Sequence, residues 1–179
     1  ANRMAEFRNT GAAHDRGREV LPIDDGWAAS AGGTTGGVDA LAQDVFTVRT
    51  RAELLAALAG PARPRIVRIA ASIDLSTDDQ GRTLGAEAFR DPAFDWPAYL
   101  QAFDPRTWGK APPAGPLEEA RRRSSQRQAA HVMVPVPSNT TVVGIAPDAG
   151  LHGGGLLLDH VDNVIIRHLR LAARGLVVD

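Results

Sequence analysis

The sequence predicts an all-β solenoid: short parallel strands wound around one interior and sealed at one end by a helix. Three observations carry this reading. Bursts of β-branched and aliphatic residues recur at 140–145, 155–158, 164–171 and 175–178, each too short for a buried helix. Gly144, Gly150, Gly153, Gly154 and Gly155 punctuate them, and no intervening segment is long enough for a crossover helix. Upstream stands a Thr-capped amphipathic segment, placed where a stack of coils needs its apolar end covered.

Taken in order, residues 1–25 are polar and aperiodic, which predicts an extended or loosely ordered arm. Residues 28–38, AASAGGTTGGV, form a glycine-rich loop. It matches neither a P-loop nor a GxGxxG dinucleotide turn, so close backbone approach explains it better than phosphate binding. Phe46, Thr47 and Val48 read as a short strand. Thr50 then acts as N-cap, with Glu53 completing a capping box. Leu54, Leu55 and Leu58 form the apolar stripe of a short helix, which Gly60 and Pro61 stop. Residues 64–73, PRIVRIAASI, read as one strand with Ile66, Ile69 and Ile73 as its apolar positions.

Residues 75–130 read as a polar insertion. Phe94, Trp96, Tyr99, Phe103 and Trp108 predict a satellite core within it. Exposed rings also stack on sugars, but packing is the stronger reading because aromatic rings bury most of their area when they can. The stretch 115–132 reads as a solvated helix, with Glu118 and Glu119 at its start, Arg121, Arg122 and Arg123 after them, and an i,i+4 pair between Glu118 and Arg122. From His131 onward the solenoid proper begins.

The formal net charge of −1, from 20 basic and 21 acidic residues, offers no electrostatic case for nucleic acid or an anionic membrane. No apolar run approaches the ~20 residues that span a bilayer. Cysteine is absent, which excludes a disulfide framework and thiolate metal sites. His152-Gly153-Gly154-Gly155 has the letters of an esterase oxyanion loop, but no GxSxG elbow accompanies it. His152, His160 and His168 recur every eight residues near Asp159 and Asp162. That spacing is not a metal-ligand motif, and on a coiled stack it does not bring the three to one face. Asn139 is expected to bond within its own turn or to join an Asn ladder along stacked corners.

The ordered set GGTTGG, VFTVRTRAELLAAL, PRIVRIAASIDLS and VPSNTTVVGIAPDAGLHGGGLLLDHVDNVIIRHLRL resembles the N-terminal half of the pectate lyases of polysaccharide lyase family 1. The match runs from about Gly26 to Leu171 and is most specific at 138–141, 153–156 and 163–170. The resemblance implies a right-handed parallel β-helix with an N-terminal helical cap. Residues 1–25 would be its arm and 26–179 the N-terminal portion of the helix, with the insertion at 75–130. It further implies secretion to an extracellular or periplasmic location and action on polygalacturonate or a related pectic glycan. Calcium (Ca2+) would be the cofactor for β-elimination, with an arginine as base. No membrane or nucleic-acid partner is implied.

The resemblance assigns no catalytic residue and no metal ligand here. Where the family's first calcium aspartate is expected, this chain has Arg174 and Gly175. Substrate-binding residues are likewise unassigned. Two alternatives stand beside the lyase reading: a calcium-independent pectin lyase, and a non-catalytic truncated β-helix that binds glycan. A stack ending at Asp179 would leave uncapped strand edges, so a missing segment or a partner is expected to complete it.

Overall fold

The computed structural model describes residues 15–22 and 25–173. Its strands form three sheets. The first holds β1 (Val45–Val48), β2 (Arg65–Ile69), β5 (Thr140–Gly144) and β8 (Val164–Arg167), side by side in that order. The second holds β3 (Ser72–Asp74), β6 (Gly150–His152) and β9 (Arg170–Ala172), and the third β4 (Met133–Pro135) and β7 (Gly155–Leu157). Every pairing between these strands is parallel. Along the chain, β2–β3–β4, β5–β6–β7 and β8–β9 visit the sheets in the same sequence, so each set is a coil stacked on the previous one. This is the parallel β-helix the sequence predicts.

Strand alternation decides what lies inside. Val67 pairs with Val142 and Ile166 along one row, and Ile73 with Leu151 along another. Val48, Val67, Ile69, Ile73, Val134, Val142 and Leu151 belong to one buried core. Each such side chain contributes about 1.5–3 kcal/mol on burial. Ile66 faces the other way and packs with Val143 and Ala40 in a smaller cluster outside the stack.

Between β1 and β2 lies α1 (Arg51–Leu58). The predicted capping box is present: Glu53 N–H donates to the Thr50 hydroxyl at 3.2 Å, and Thr50 N–H donates to the Glu53 carboxylate at 3.2 Å. The helix packs on β1 and β2, and its Leu54 and Leu58 enter the main core. Ala59 is extended and Gly60 takes a φ of 86°, which ends the helix.

Several expectations are corrected. The run 64–73 is two strands in different sheets, β2 and β3, and 164–171 likewise divides into β8 and β9. At the second break His168 adopts φ 56°. One left-handed residue turns the chain while the apolar run continues, so hydropathy merges the two strands. Gly150 is no mere corner but opens β6, and β4 precedes the predicted bursts. The predicted coil at 175–178 lies outside the described residues, as does most of the arm.

Between β3 and β4 the chain makes α2 (Trp96–Ala102) and α3 (Pro116–Val132). α3 is less solvated than its charges suggest, since Ala120, Ser124, Gln128 and Val132, at four-residue spacing, are buried. Glu118 pairs with Arg121 at 2.9 Å rather than with Arg122.

The GGTTGG loop is stitched to the corners preceding β5 and β8. Asn139 and Asn163 hold equivalent left-handed corners, with φ of 59° and 52°. Asn163 Nδ2 donates to Asn139 Oδ1 at 2.8 Å, while Asn163 Oδ1 accepts from Thr35 N–H at 2.7 Å and Gly36 N–H at 2.8 Å. The Asn ladder is therefore the form the structure adopts. Gly37 lies so close that a Cβ would sit 1.9 Å from the Arg65 carbonyl oxygen, which only glycine avoids.

Candidate functional site

Of the outer surfaces, that of the four-stranded sheet is crossed by the described part of the N-terminal arm. Gly17 is seated on Ile66 and Val143, Arg68 Nε donates to the Arg16 carbonyl at 3.0 Å, and Arg167 bonds the Glu19 carbonyl. The β3–β6–β9 face is only partly covered, with 35 % of the His152 side chain and 15 % of the Asp74 side chain exposed. With Ile73 and Leu151 turned inward, alternation turns Ser72 and Asp74 of β3, His152 of β6, and Arg170 and Ala172 of β9 outward. Ser72 and Arg170 are exposed and His152 is half-buried.

Asp74 is the organising group of this face. Its Oδ1 accepts from the Ser76 N–H at 2.9 Å and the Ser76 hydroxyl at 2.6 Å, and its Oδ2 accepts from the Thr83 hydroxyl at 3.4 Å. His152 Nδ1 lies 3.8 Å from Oδ1. Ser76 is fully buried and donates to a carboxylate, so it is not an activated nucleophile.

Ser72 and Asp74 also line a cleft of about 310 Å³, shared with Arg49, Arg51, Asp78 and Asp79 at the N-terminus of α1. Arg51 is 9 % exposed and bridges elements: it donates to the His131 carbonyl at 3.0 Å and pairs with Asp79 at 3.4 Å. His131 meets the Thr77 carbonyl at 2.8 Å, tying the end of α3 to the turn after β3. The backbone N–H of Arg82, with its guanidinium, holds the Asp78 carboxyl below its ordinary range. Face and cleft together offer fixed carboxylates, an imidazole, guanidiniums and hydroxyls. Such a surface suits a hydroxylated, charged, extended ligand.

The remaining histidines stand apart from this site. His160, in the turn after β7, pairs with Asp159 at 2.6 Å and is fully exposed, and His168 sits in the corner between β8 and β9. Gly153 and Gly154 turn the chain between β6 and β7. Among the described residues, no three His, Asp or Glu side chains are arranged to hold a metal ion. Arg174 and Gly175 lie outside the described residues. No helix of the described residues is long and apolar enough to cross a membrane. The aromatic residues of the insertion pack on one another: Trp96 stacks on Tyr99 at 5.8 Å, Tyr99 meets Phe103 at 4.7 Å, and Phe103 meets Trp108 at 4.9 Å. Tyr99 donates to Glu118 at 2.8 Å, and burial, with that bond, pushes its phenol up.

Sequence reasoning missed the cleft residues Arg49, Arg51, Asp78 and Asp79, which are brought to Asp74 by the path of the chain rather than by a motif. The alternation in Ser72-Ile73-Asp74 was the available signal for the face.

Comparison with known proteins adds an independent line. A pectate lyase family model matches residues 20–91. Pectate lyase of Bacillus subtilis (strain 168) is 44 % identical over 88 % of this chain, which spans 38 % of that protein. Pectate lyase E of Dickeya chrysanthemi is 29 % identical over 80 % of the chain and 26 % of its own length. The structure of the thermostable pectate lyase PL 47 superposes with a TM-score of 0.85 at 46 % identity, covering 88 % of this chain and 39 % of that one. A pectate lyase bound to a hexasaccharide superposes with a TM-score of 0.82 at 43 % identity, covering 88 % and 40 %.

Proposed function

Because the chain belongs to the pectate lyase family while spanning little more than a third of relatives such as the Bacillus subtilis pectate lyase, we propose that it supplies the capped, N-terminal coils of a lyase that cleaves polygalacturonate by β-elimination. The observation that carries this is the superposition on solved pectate lyases at a TM-score of 0.85, 46 % identity and 88 % coverage of the chain. The role assigned to this part is to seal the core with α1 and to present the β3–β6–β9 face to an anionic pectic chain. A pectic substrate belongs to the plant cell wall, so the location assigned is extracellular or periplasmic.

The cofactor assigned is Ca2+, which when bound neutralises a uronate carboxylate and stabilises charge developing beside it. The described residues do not supply its site. Calcium takes six to eight hard oxygens, whereas the oxygens of Asp74 are committed to Ser76 and Thr83 and no acidic cluster forms. We assign its ligands, and the proton-abstracting base, to coils outside the described residues.

The test is ultraviolet detection of unsaturated product on polygalacturonate, with and without chelator. Two proteins are compared: the 179-residue chain alone, and the same chain joined to the downstream coils of the Bacillus subtilis relative. Turnover by the joined protein and its loss to chelator are the expected results. Turnover that survives chelation would point to the calcium-independent alternative. Glycan binding without turnover in either form would support a purely binding role.

A further inference from the structure

We propose that His152 reads uronate carboxylates on the β3–β6–β9 face, binding them as an imidazolium supported by Asp74. The inference rests on the polyuronate reading above and adds a residue that no motif marks.

Its basis is local geometry. Leu151 is 1 % exposed in the core, so strand alternation sends His152 to the outside. There its Nδ1 lies 3.8 Å from Asp74 Oδ1, on a carboxylate already oriented by the backbone N–H and hydroxyl of Ser76. The approach depends on Gly153, which is left-handed at φ 72° and whose Cβ would stand 2.6 Å from Asp74 Oδ1. With Nδ1 turned to the carboxylate, Nε2 is the ring nitrogen left for a ligand, and no described residue bonds it. On β9 the residue beside His152 is the uncharged Ala172, and Arg170 lies farther along the same face. Asp74 is therefore the titratable group beside the ring, and Arg170 the nearby cation in the register.

The chemistry follows from charge. A neutral ring protonated at Nδ1 would present a lone pair at Nε2 and repel a uronate, and Asp74, at 3.8 Å, acts on the ring through its charge and accepts no hydrogen bond from it. Only the imidazolium donates at both nitrogens. A ligand carboxylate and Asp74 flanking one ring favour that form, so binding takes up a proton. Parallel strands stand about 4.8 Å apart, so a glycan crossing the stack obliquely meets His152 on β6 and Arg170, two positions earlier in register, on β9.

The test is calorimetric titration of the 179-residue chain with hexagalacturonate and with its methyl ester, in buffers of different ionisation enthalpy. The wild type is expected to prefer the acid and to take up a proton on binding it. His152→Gln should weaken acid binding roughly five- to tenfold, abolish proton uptake and leave the thermal midpoint unchanged. His152→Arg should restore affinity without uptake. Retained affinity and proton uptake in His152→Gln, or equal binding of the ester, would overturn the role of His152 while leaving the face as a glycan site. Failure of the wild type to bind either ligand would remove the polyuronate reading of this face as well.

Discussion

Asn163 shows how much one side chain does at a corner. It bonds the corner of the coil before it through Asn139 and fixes the GGTTGG loop through two backbone N–H groups. Alanine there would leave those donors unmet, at a cost of about 1–3 kcal/mol, and would place a Cβ-bearing residue without polar compensation in a left-handed corner. Asn163→Ala is expected to lower the melting temperature and to make 33–37 the first site of limited proteolysis. An unchanged cleavage pattern would mean that the loop is held by other contacts. Asp91 is the second such position. It accepts from Arg123 Nε at 2.8 Å and from Arg127 at 3.2 Å, and the Arg123 bond, helped by Ala93 N–H, lowers its carboxyl to about 2. A free aspartate titrates near ~3.9, so the folded state holds fewer protons than the unfolded state between these values. The contribution is complete above about pH 4 and is lost as pH falls towards 2. Near-ultraviolet dichroism of the insertion's aromatic cluster should report a loss in that window, and Asp91→Asn should remove the acid step.

At the scale of elements, α1 joins the most local signal in the sequence to the most global consequence. Thr50 and Glu53 set its start from four consecutive residues, which is why the cap was legible without coordinates. Leu54 is wholly buried in the core shared by β1 and β2. Leu54→Ala is expected to cost about 2–5 kcal/mol and Thr50→Ala about 1 kcal/mol. Chemical denaturation separates the two, and equal losses would show that the helix does not seal the core. α3 illustrates the opposite case. Its composition reads as solvated, yet Ser124 donates to the Ala120 carbonyl and accepts from Asp91 N–H, each buried, and so holds the insertion in place. Polarity hid that stripe because its partner, 33 residues upstream, reaches it only through the fold.

At the scale of the molecule, the three-sheet coil puts residues far apart in sequence into register. His152 meets Asp74 across 78 positions, and Asn163 meets Thr35 across 128. The Val, Ile and Leu bursts, the glycine corners, the Thr50 cap and the ordered family motifs together specified a stack of parallel coils, since each is a short-range property of backbone and hydropathy. Strand breaks inside continuous apolar runs, the buried stripe of α3, residues 16–19 across the four-stranded sheet and the Asp74–His152 face needed coordinates. Each depends on which coil lies next to which, and chain geometry sets that only after the local pieces have formed.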